Sequence, residues 1–539
     1  MSLASPPEMT VAVPTDADDT SDWSHKLQKV NYSSTSLGDE ALDQAFEAQL
    51  RERRQEDAPI ERNLIGGEWF ESDTVITRID PVEGSVRAGA AYVATPEQVT
   101  AAITAARGAA KAWRKTPYME RNEKLRAARE ELVDQLTFIA SVLSAETGKT
   151  RLESYGEAQE VLDMIEHYCT QFEQNNGFAV QQKSTEREKN LDVLIPYGTF
   201  AVIVPFNFPA ALMVGMAVAA LVTGNTIVIK PSDKTPRSSA VVAEILAKHL
   251  PNGVVNIVHG GAEVGQLLAD GDVDGIAFTG SAEVGWKLFN AKGPRGYHRP
   301  VLAEMGGQNP AIVAASANLD DAATGIVRSA FGLSGQKCSA CRRVVVDAKV
   351  ADELIAKIKV RAENLVVGDP LDRSSNLGPV IDDAISARID AALELAAQDG
   401  TVVTGGKLEG AAGNFYAPIV VADLPLGHRL TREELFAPFL TVTRVDDFDA
   451  AIAEANAVDL GLSAGVFSGV EAEVEQFYDE IEAGVLYSNR PDGATTGAWP
   501  GVQSFCGWKR SGTSGKGGLG VNYLQGFMRE QNRTIVTAA

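Results

Sequence analysis

From residue 199 onward the apolar positions fall into short blocks whose period switches between that of a strand and that of a helix. Residues 199–204 form a compact run of β-branched and aromatic side chains, and 210–222 form a longer apolar stretch of helical length. Strand-like 226–229 is followed by helical 238–249, strand-like 254–258 by a short helix over 264–268, and 275–278 reads as a further strand. Strands that are apolar on both faces and alternate with helices predict an α/β fold, a parallel sheet covered on both sides. In such sheets ligands gather at the C-terminal ends of the strands.

Upstream the pattern is different. Residues 1 to about 60 are polar and acidic, with one helical repeat formed by Ala41-Leu42, Ala45-Phe46 and Leu50. Ile65-Gly66-Gly67-Glu68-Trp69 predicts a hairpin. Thr95-Pro96-Glu97-Gln98 predicts a helix start, with Thr as cap, Pro in the first turn and Gln three residues after the cap. A second helical region runs to about 147 and a third covers 151–174. There Glu157, Glu160 and Asp163 recur every three residues and read as a solvated stripe. The charged segment 181–191 predicts an exposed hairpin or arm.

Composition narrows the function. With 539 residues the chain exceeds one core, so two or three domains are expected. The 72 acidic against 49 basic side chains give −23, which disfavours nucleic acid and anionic membrane as partners. The longest uncharged apolar stretch, 206–229, is broken by Pro209, Gly215 and Gly224-Asn225, and a membrane span needs about 20 apolar residues. No signal peptide is evident, and a cytoplasmic location is expected. Four cysteines, at 169, 338, 341 and 506, make no disulfide framework. Cys338-Ser339-Ala340-Cys341 lacks the second ligand pair of a zinc site, so no metal is expected.

Candidate chemistry centres on Cys338. It follows a turn of small residues and is flanked by Lys337, Arg342 and Arg343. Neighbouring cations would lower the thiol pKa and favour the nucleophilic thiolate. A buried, inert thiol is the alternative. The strand ends supply a second constellation: Lys230-Pro231-Ser232-Asp233, and Thr279-Gly280-Ser281 opening a helix that contains Gly285. An ammonium, a carboxylate and a free helix N-terminus suit a nucleotide's ribose and phosphates.

These segments resemble the aldehyde dehydrogenase family. Its motifs stand in order from about 63 to 535: Pro205-Phe206-Asn207-Phe208-Pro209, Lys230-Pro231-Ser232-Asp233, Phe278-Thr279-Gly280-Ser281, Glu304-Met305-Gly306-Gly307, Gly335-Gln336-Lys337-Cys338 and Glu433-Glu434-Leu435-Phe436. The resemblance implies a doubly wound parallel-sheet NAD-binding domain (63–177 and 198–305) and an α/β catalytic domain (306–510). A small β oligomerisation flap (178–197 and 511–539) and an N-terminal extension (1–62) complete the layout. It also implies a homo-oligomer, a dimer, tetramer or hexamer. Cys338 would attack the aldehyde, and Asn207 with the Cys338 backbone N–H would hold the oxyanion. Hydride would pass to the nicotinamide, and Glu304 would activate water to release the acid. Pro205, Phe206, Lys230, Ser232, Asp233, Gly280, Ser281, Gly285, Glu434 and Phe436 would bind the cofactor. The charge of Asp233 favours NAD, with NADP not excluded because aspartate is shorter than the glutamate common there.

Gln336-Lys337-Cys338-Ser339-Ala340 resembles the branch that oxidises L-glutamate γ-semialdehyde in proline catabolism. By that resemblance Ser339 with Gly497 and Ala498 would hold the substrate carboxylate, Glu160 its ammonium, and Phe208 with Phe505 its carbon chain. A separate proline dehydrogenase acting upstream would fit. Ala437 and Cys506 stand where the family usually has glycine, and Ser504 where it has proline, which bears on the placement of Phe505. Alternatives are another semialdehyde or an aliphatic or aromatic aldehyde, a CoA-acylating relative, and a non-enzymatic scaffold of the same fold.

Overall fold

The computed structural model describes Ser34, residues 36–491 and residues 499–536. Two seven-stranded sheets organise it. The first runs, edge to edge, through Val301–Met305, Gly275–Gly280, Thr199–Ile203, Thr226–Lys230, Val255–Ile257, Asn63–Ile65 and Glu68–Phe70. The first five are parallel. The last two form the hairpin expected at Gly66-Gly67 and pair antiparallel. Strand alternation explains the apolar runs: Phe200, Val202, Ile227 and Ile229 enter one core, and Ala201 and Val228 enter another on the opposite face. This is the doubly covered α/β sheet.

The second sheet orders Thr401–Lys407, Tyr416–Ala422, Phe439–Val445, Cys341–Asp347, Asn309–Val313, Ser463–Phe467 and Val485–Ser488, parallel except at its first pair. A separate three-stranded sheet joins Ala179–Gln181, Glu188–Pro196 and Met528–Val536.

The helix Pro96–Lys115 opens with the reciprocal capping box read from Thr95 and Gln98. The region ending at 147 is two helices, Tyr118–Asp134 and Leu136–Thr147, divided at Gln135. The Glu40–Arg53 helix lies on its own chain, with Phe46 and Leu50 fully buried in the larger core. Ion pairs tie it to both halves: Arg151 to Asp43 at 2.6 Å, Arg373 to Glu47 at 2.7 Å, and the following Arg54 to Asp80 at 3.0 Å and Asp369 at 2.8 Å.

Two expectations are corrected. Residues 511–527, expected with the flap, do not join the three-stranded sheet. Ser511 Oγ donates to Gly306 O, Thr513 Oγ1 to Val301 O, and Tyr523 and Phe527 are buried in the core, so the strand that pairs with Glu188–Pro196 begins at Met528. The acidic stripe on the Arg151–Gln174 helix is not solvated, because the helix Ala211–Val222 packs across it and leaves Glu157 wholly and Glu160 almost wholly buried. Among the described residues no helix is long and apolar enough to cross a membrane, and no group of His, Cys, Asp and Glu is placed to hold a metal ion.

Candidate active site

A cavity of about 110 Å³ lies where the C-terminal ends of the first sheet meet the loop entering strand Cys341–Asp347 of the second. Its walls bring together Glu160, Phe208, Glu304, Cys338, Ser339 and Phe505. Met164, Tyr168, Leu212, Met216, Leu519 and Tyr523 make the rest largely apolar.

The nucleophile candidate sits on a backbone that permits little movement. Leu333 and Ser334 take left-handed conformations (φ 52° and 49°), which side chains other than glycine adopt at a cost. Ser334 Oγ donates to Gly378 O at 2.6 Å, and the Leu333 N–H donates to the Glu153 carboxylate. Gly335 is required at φ 68°, since a Cβ there would lie 2.1 Å from Ala437 O. Asn309 then grips the loop from the neighbouring strand. Its Nδ2 donates to Cys338 O at 2.7 Å and to Ala340 O at 2.9 Å, while its Oδ1 accepts from the Ser463 N–H at 2.9 Å.

The cations beside Cys338 do not outweigh its burial. Burial pushes the thiol up to about 12, reinforced by the Glu434 and Glu304 carboxylates and opposed by the Ser339 N–H and Arg342. Arg343 turns away and spends its guanidinium on the carbonyls of Gln308, Glu454 and Ala455. Lys337 is itself buried in the cavity wall, its ammonium 5.9 Å from the centre of the Phe208 ring, and burial lowers its own pKa.

Glu304 lies in the edge strand Val301–Met305, facing the cavity. Its Oε2 is buried without a hydrogen-bond partner, and burial pushes the carboxyl well above its usual range. Asn207 is buried and donates from Nδ2 to Gln336 O at 3.0 Å, which ties the strand-end turn 205–209 to the nucleophile loop. Phe505 lies in the wall, and its N–H donates to Gly518 O at 2.7 Å. Cys506 is half-buried and outside the wall, so the departures there leave Phe505 in place. Ala437 is fully buried and its carbonyl accepts from Arg342 at 2.9 Å. Gly497 and Ala498 lie outside the described residues.

The second constellation lies along the same strand ends. Lys230 is buried and donates from Nζ to Gly260 O at 2.9 Å, with Asp233 exposed nearby and raising its pKa against the effect of burial. Ser232 is buried and its Oγ accepts from the Lys234 N–H. Ser281 caps the helix Ala282–Asn290, in which a Cβ at Gly285 would meet Met305 Sδ at 2.4 Å; one at Gly280 would meet the Phe278 ring at 2.5 Å. Half-buried Pro205 leads into Phe206, whose ring lies 5.8 Å from that of Phe436, itself at φ 57°. Glu434 accepts from the Gly307 N–H at 3.1 Å and lies 3.9 Å from Arg342. An exposed carboxylate, a strand-end ammonium and an open helix start fit an adenosine ribose and pyrophosphate.

Residues that sequence reasoning did not single out include Asn309, Tyr168 and Tyr523. No local pattern marks them, since each reaches the site only through tertiary packing.

The model of the aldehyde dehydrogenase family matches residues 69–532. A 1-pyrroline-5-carboxylate dehydrogenase of Geobacillus sp. (strain WCH70) is 37% identical over 92% of this chain and 96% of its own length. A structure of a mutant of Thermus thermophilus 1-pyrroline-5-carboxylate dehydrogenase superposes with a TM-score of 0.89 at 33% identity, covering 93% of this chain and 97% of that one. A structure of the Thermus enzyme with bound NAD gives 0.88 at 33% identity, with the same coverage.

Proposed function

Because the chain belongs to the aldehyde dehydrogenase family, we propose that it oxidises L-glutamate γ-semialdehyde, the open form of 1-pyrroline-5-carboxylate, to L-glutamate with NAD. One observation carries the reading. A single cavity holds a cysteine, a glutamate with one buried oxygen free of hydrogen bonds, a second acid, a serine and two phenylalanines.

Cys338 loses its proton and adds through Sγ to the aldehyde carbon, giving a hemithioacetal. The oxyanion is held by the Asn207 amide, which has a second N–H beyond the one given to Gln336 O, and by the Cys338 backbone N–H. NAD, when bound, would supply the hydride acceptor, and Cys338 would then carry the acyl group as a thioester. Glu304 Oε2 then accepts a proton from water as the water attacks the thioester, and the acid departs. Lys230, Ser232, Asp233, Pro205, Phe206, Gly280, Ser281, Gly285, Glu434 and Phe436 would hold the cofactor. The Asp233 carboxylate repels the 2′-phosphate of NADP.

At the far end of the substrate, Glu160 offers a carboxylate to the ammonium, Ser339 a hydroxyl to the carboxylate, and Phe208 and Phe505 flank the chain. Gly497 and Ala498 would add backbone donors for the carboxylate. A homo-oligomer joined through the flap, work in the cytoplasm and a separate proline dehydrogenase upstream belong to the same reading; the exposed strand Met528–Val536 supports the first.

The test is NADH formation with L-glutamate γ-semialdehyde beside succinate semialdehyde and propanal. A preference for the first, abolished in Cys338→Ala, is expected. Equal turnover of all three would overturn the substrate assignment, and no turnover of any would overturn the enzymatic reading.

A further inference from the structure

We propose that the buried ion pair Lys149–Glu157 is a positioning device for the turn 206–210, setting the Phe208 ring for the substrate chain; this rests on the substrate reading above. Neither side chain lines the cavity, and both are wholly buried. Two charges removed from water are costly unless each is fully satisfied. What satisfies them is the turn itself.

The Glu157 carboxylate accepts from Lys149 Nζ through one oxygen. Through the other it accepts from the N–H groups of Ala210 at 2.8 Å and Ala211 at 3.1 Å. It thereby occupies the N-terminus of the helix Ala211–Val222, which has no side-chain cap of its own and whose dipole favours an anion there. Lys149 Nζ in turn lies 4.0 Å from the centre of the Phe208 ring, much closer than Lys337.

One pair therefore fixes the turn at two points, the backbone at 210–211 and the ring at 208, with Ser239 Oγ holding Pro209 O between them at 2.8 Å. Lys149 is held too: Ser144 Oγ donates to its carbonyl at 2.7 Å, and the preceding Gly148 takes φ 75°. A Cβ at Gly378 would lie 1.8 Å from Gly148 O, so the second half of the molecule bears directly on this loop.

The test compares Lys149→Met, Lys149→Arg, and the neutral pair Lys149→Met with Glu157→Gln, each in the wild-type and Phe208→Leu backgrounds. KM and kcat are read for the semialdehyde and for propanal. Losing the cation under the ring is expected to raise KM for the semialdehyde about tenfold, with kcat changed far less. Lys149→Arg should recover part of it, and in the Phe208→Leu background Lys149→Met should add nothing to KM. A KM increase of the same size in both backgrounds, or unaltered kinetics in folded Lys149→Met, overturns the proposal. If Lys149→Met alone does not fold, the neutral pair carries the comparison, and failure of that pair to fold overturns positioning in favour of a purely structural role. If the unmodified protein oxidises propanal but not the semialdehyde, the substrate reading fails, and the comparison is decided on KM for propanal.

Discussion

Replacing Asn207 by alanine separates transition-state stabilisation from folding at one side chain. Its Nδ2 carries two hydrogens, and the bond to Gln336 O at 3.0 Å uses one. The other is the proposed oxyanion donor. Removing an amide donor of this kind costs about 3–4 kcal/mol of transition-state stabilisation, on the order of 10²–10³ in kcat. The same change leaves the Gln336 carbonyl buried without this partner, at about 1–3 kcal/mol of folding stability. The bound aldehyde does not yet carry the charge, so KM should move little. Steady-state NADH formation gives kcat and KM, and urea denaturation gives the stability change. Asn207→Asp is the sharper control: it is isosteric, but as an anion it accepts where the amide donates, so its kcat loss should equal or exceed that of the alanine variant. A folded Asn207→Ala protein retaining kcat within about fivefold of the wild type would refute the donor role.

Glu304→Gln should form one equivalent of NADH per Cys338 and then stall, with turnover lower by about 10²–10⁴, because the thioester lacks its water-activating base; steady linear NADH formation without a burst would contradict this. With the Cys338 thiol pushed up to about 12, alkylation by iodoacetamide should still be climbing nearly tenfold per pH unit across the range from about 7 to 9, and a plateau within that range would show the thiolate forming far more easily than its surroundings allow. Glu434 is the leading charge that raises this thiol, so Glu434→Gln should speed alkylation at fixed pH. Asn309→Leu strips partners from Cys338 O, Ala340 O and the Ser463 N–H together, and should destabilise the protein by about 3 kcal/mol or more in urea denaturation; a loss below about 1 kcal/mol would show that the loop holds without it.

Much of this was legible in the chain because strands buried on both faces leave a plain signature. Phe200-Ala201-Val202 is apolar throughout, since consecutive residues serve different cores, and the Thr95–Gln98 capping box marks its helix by local chemistry alone. Periodicity reports which residues share a face, but not what covers that face. Glu157 and Glu160 looked solvated because nothing in their spacing reveals the helix Ala211–Val222 lying across them. Residues 511–527 looked like flap because their glycines and polar side chains give no hint of bonds to Gly306 and Val301.

Adjacency in sequence misleads in the same way about charge. Lys337 and Arg343 flank the nucleophile along the chain, yet one is itself buried beside Phe208 and the other is consumed by three carbonyls, so they do not offset the burial of the thiol. The carboxylates that act on Cys338, Glu434 and Glu304, come from distant strands and turns, and together with burial they keep its proton on. Glu304 is held towards its protonated form by the same desolvation. Dryness therefore strengthens the hydrogen bonds that stabilise an oxyanion while withholding both the nucleophile and the base in their reactive forms. A site built this way should run faster as pH rises, since each step waits on the loss of a proton that burial favours.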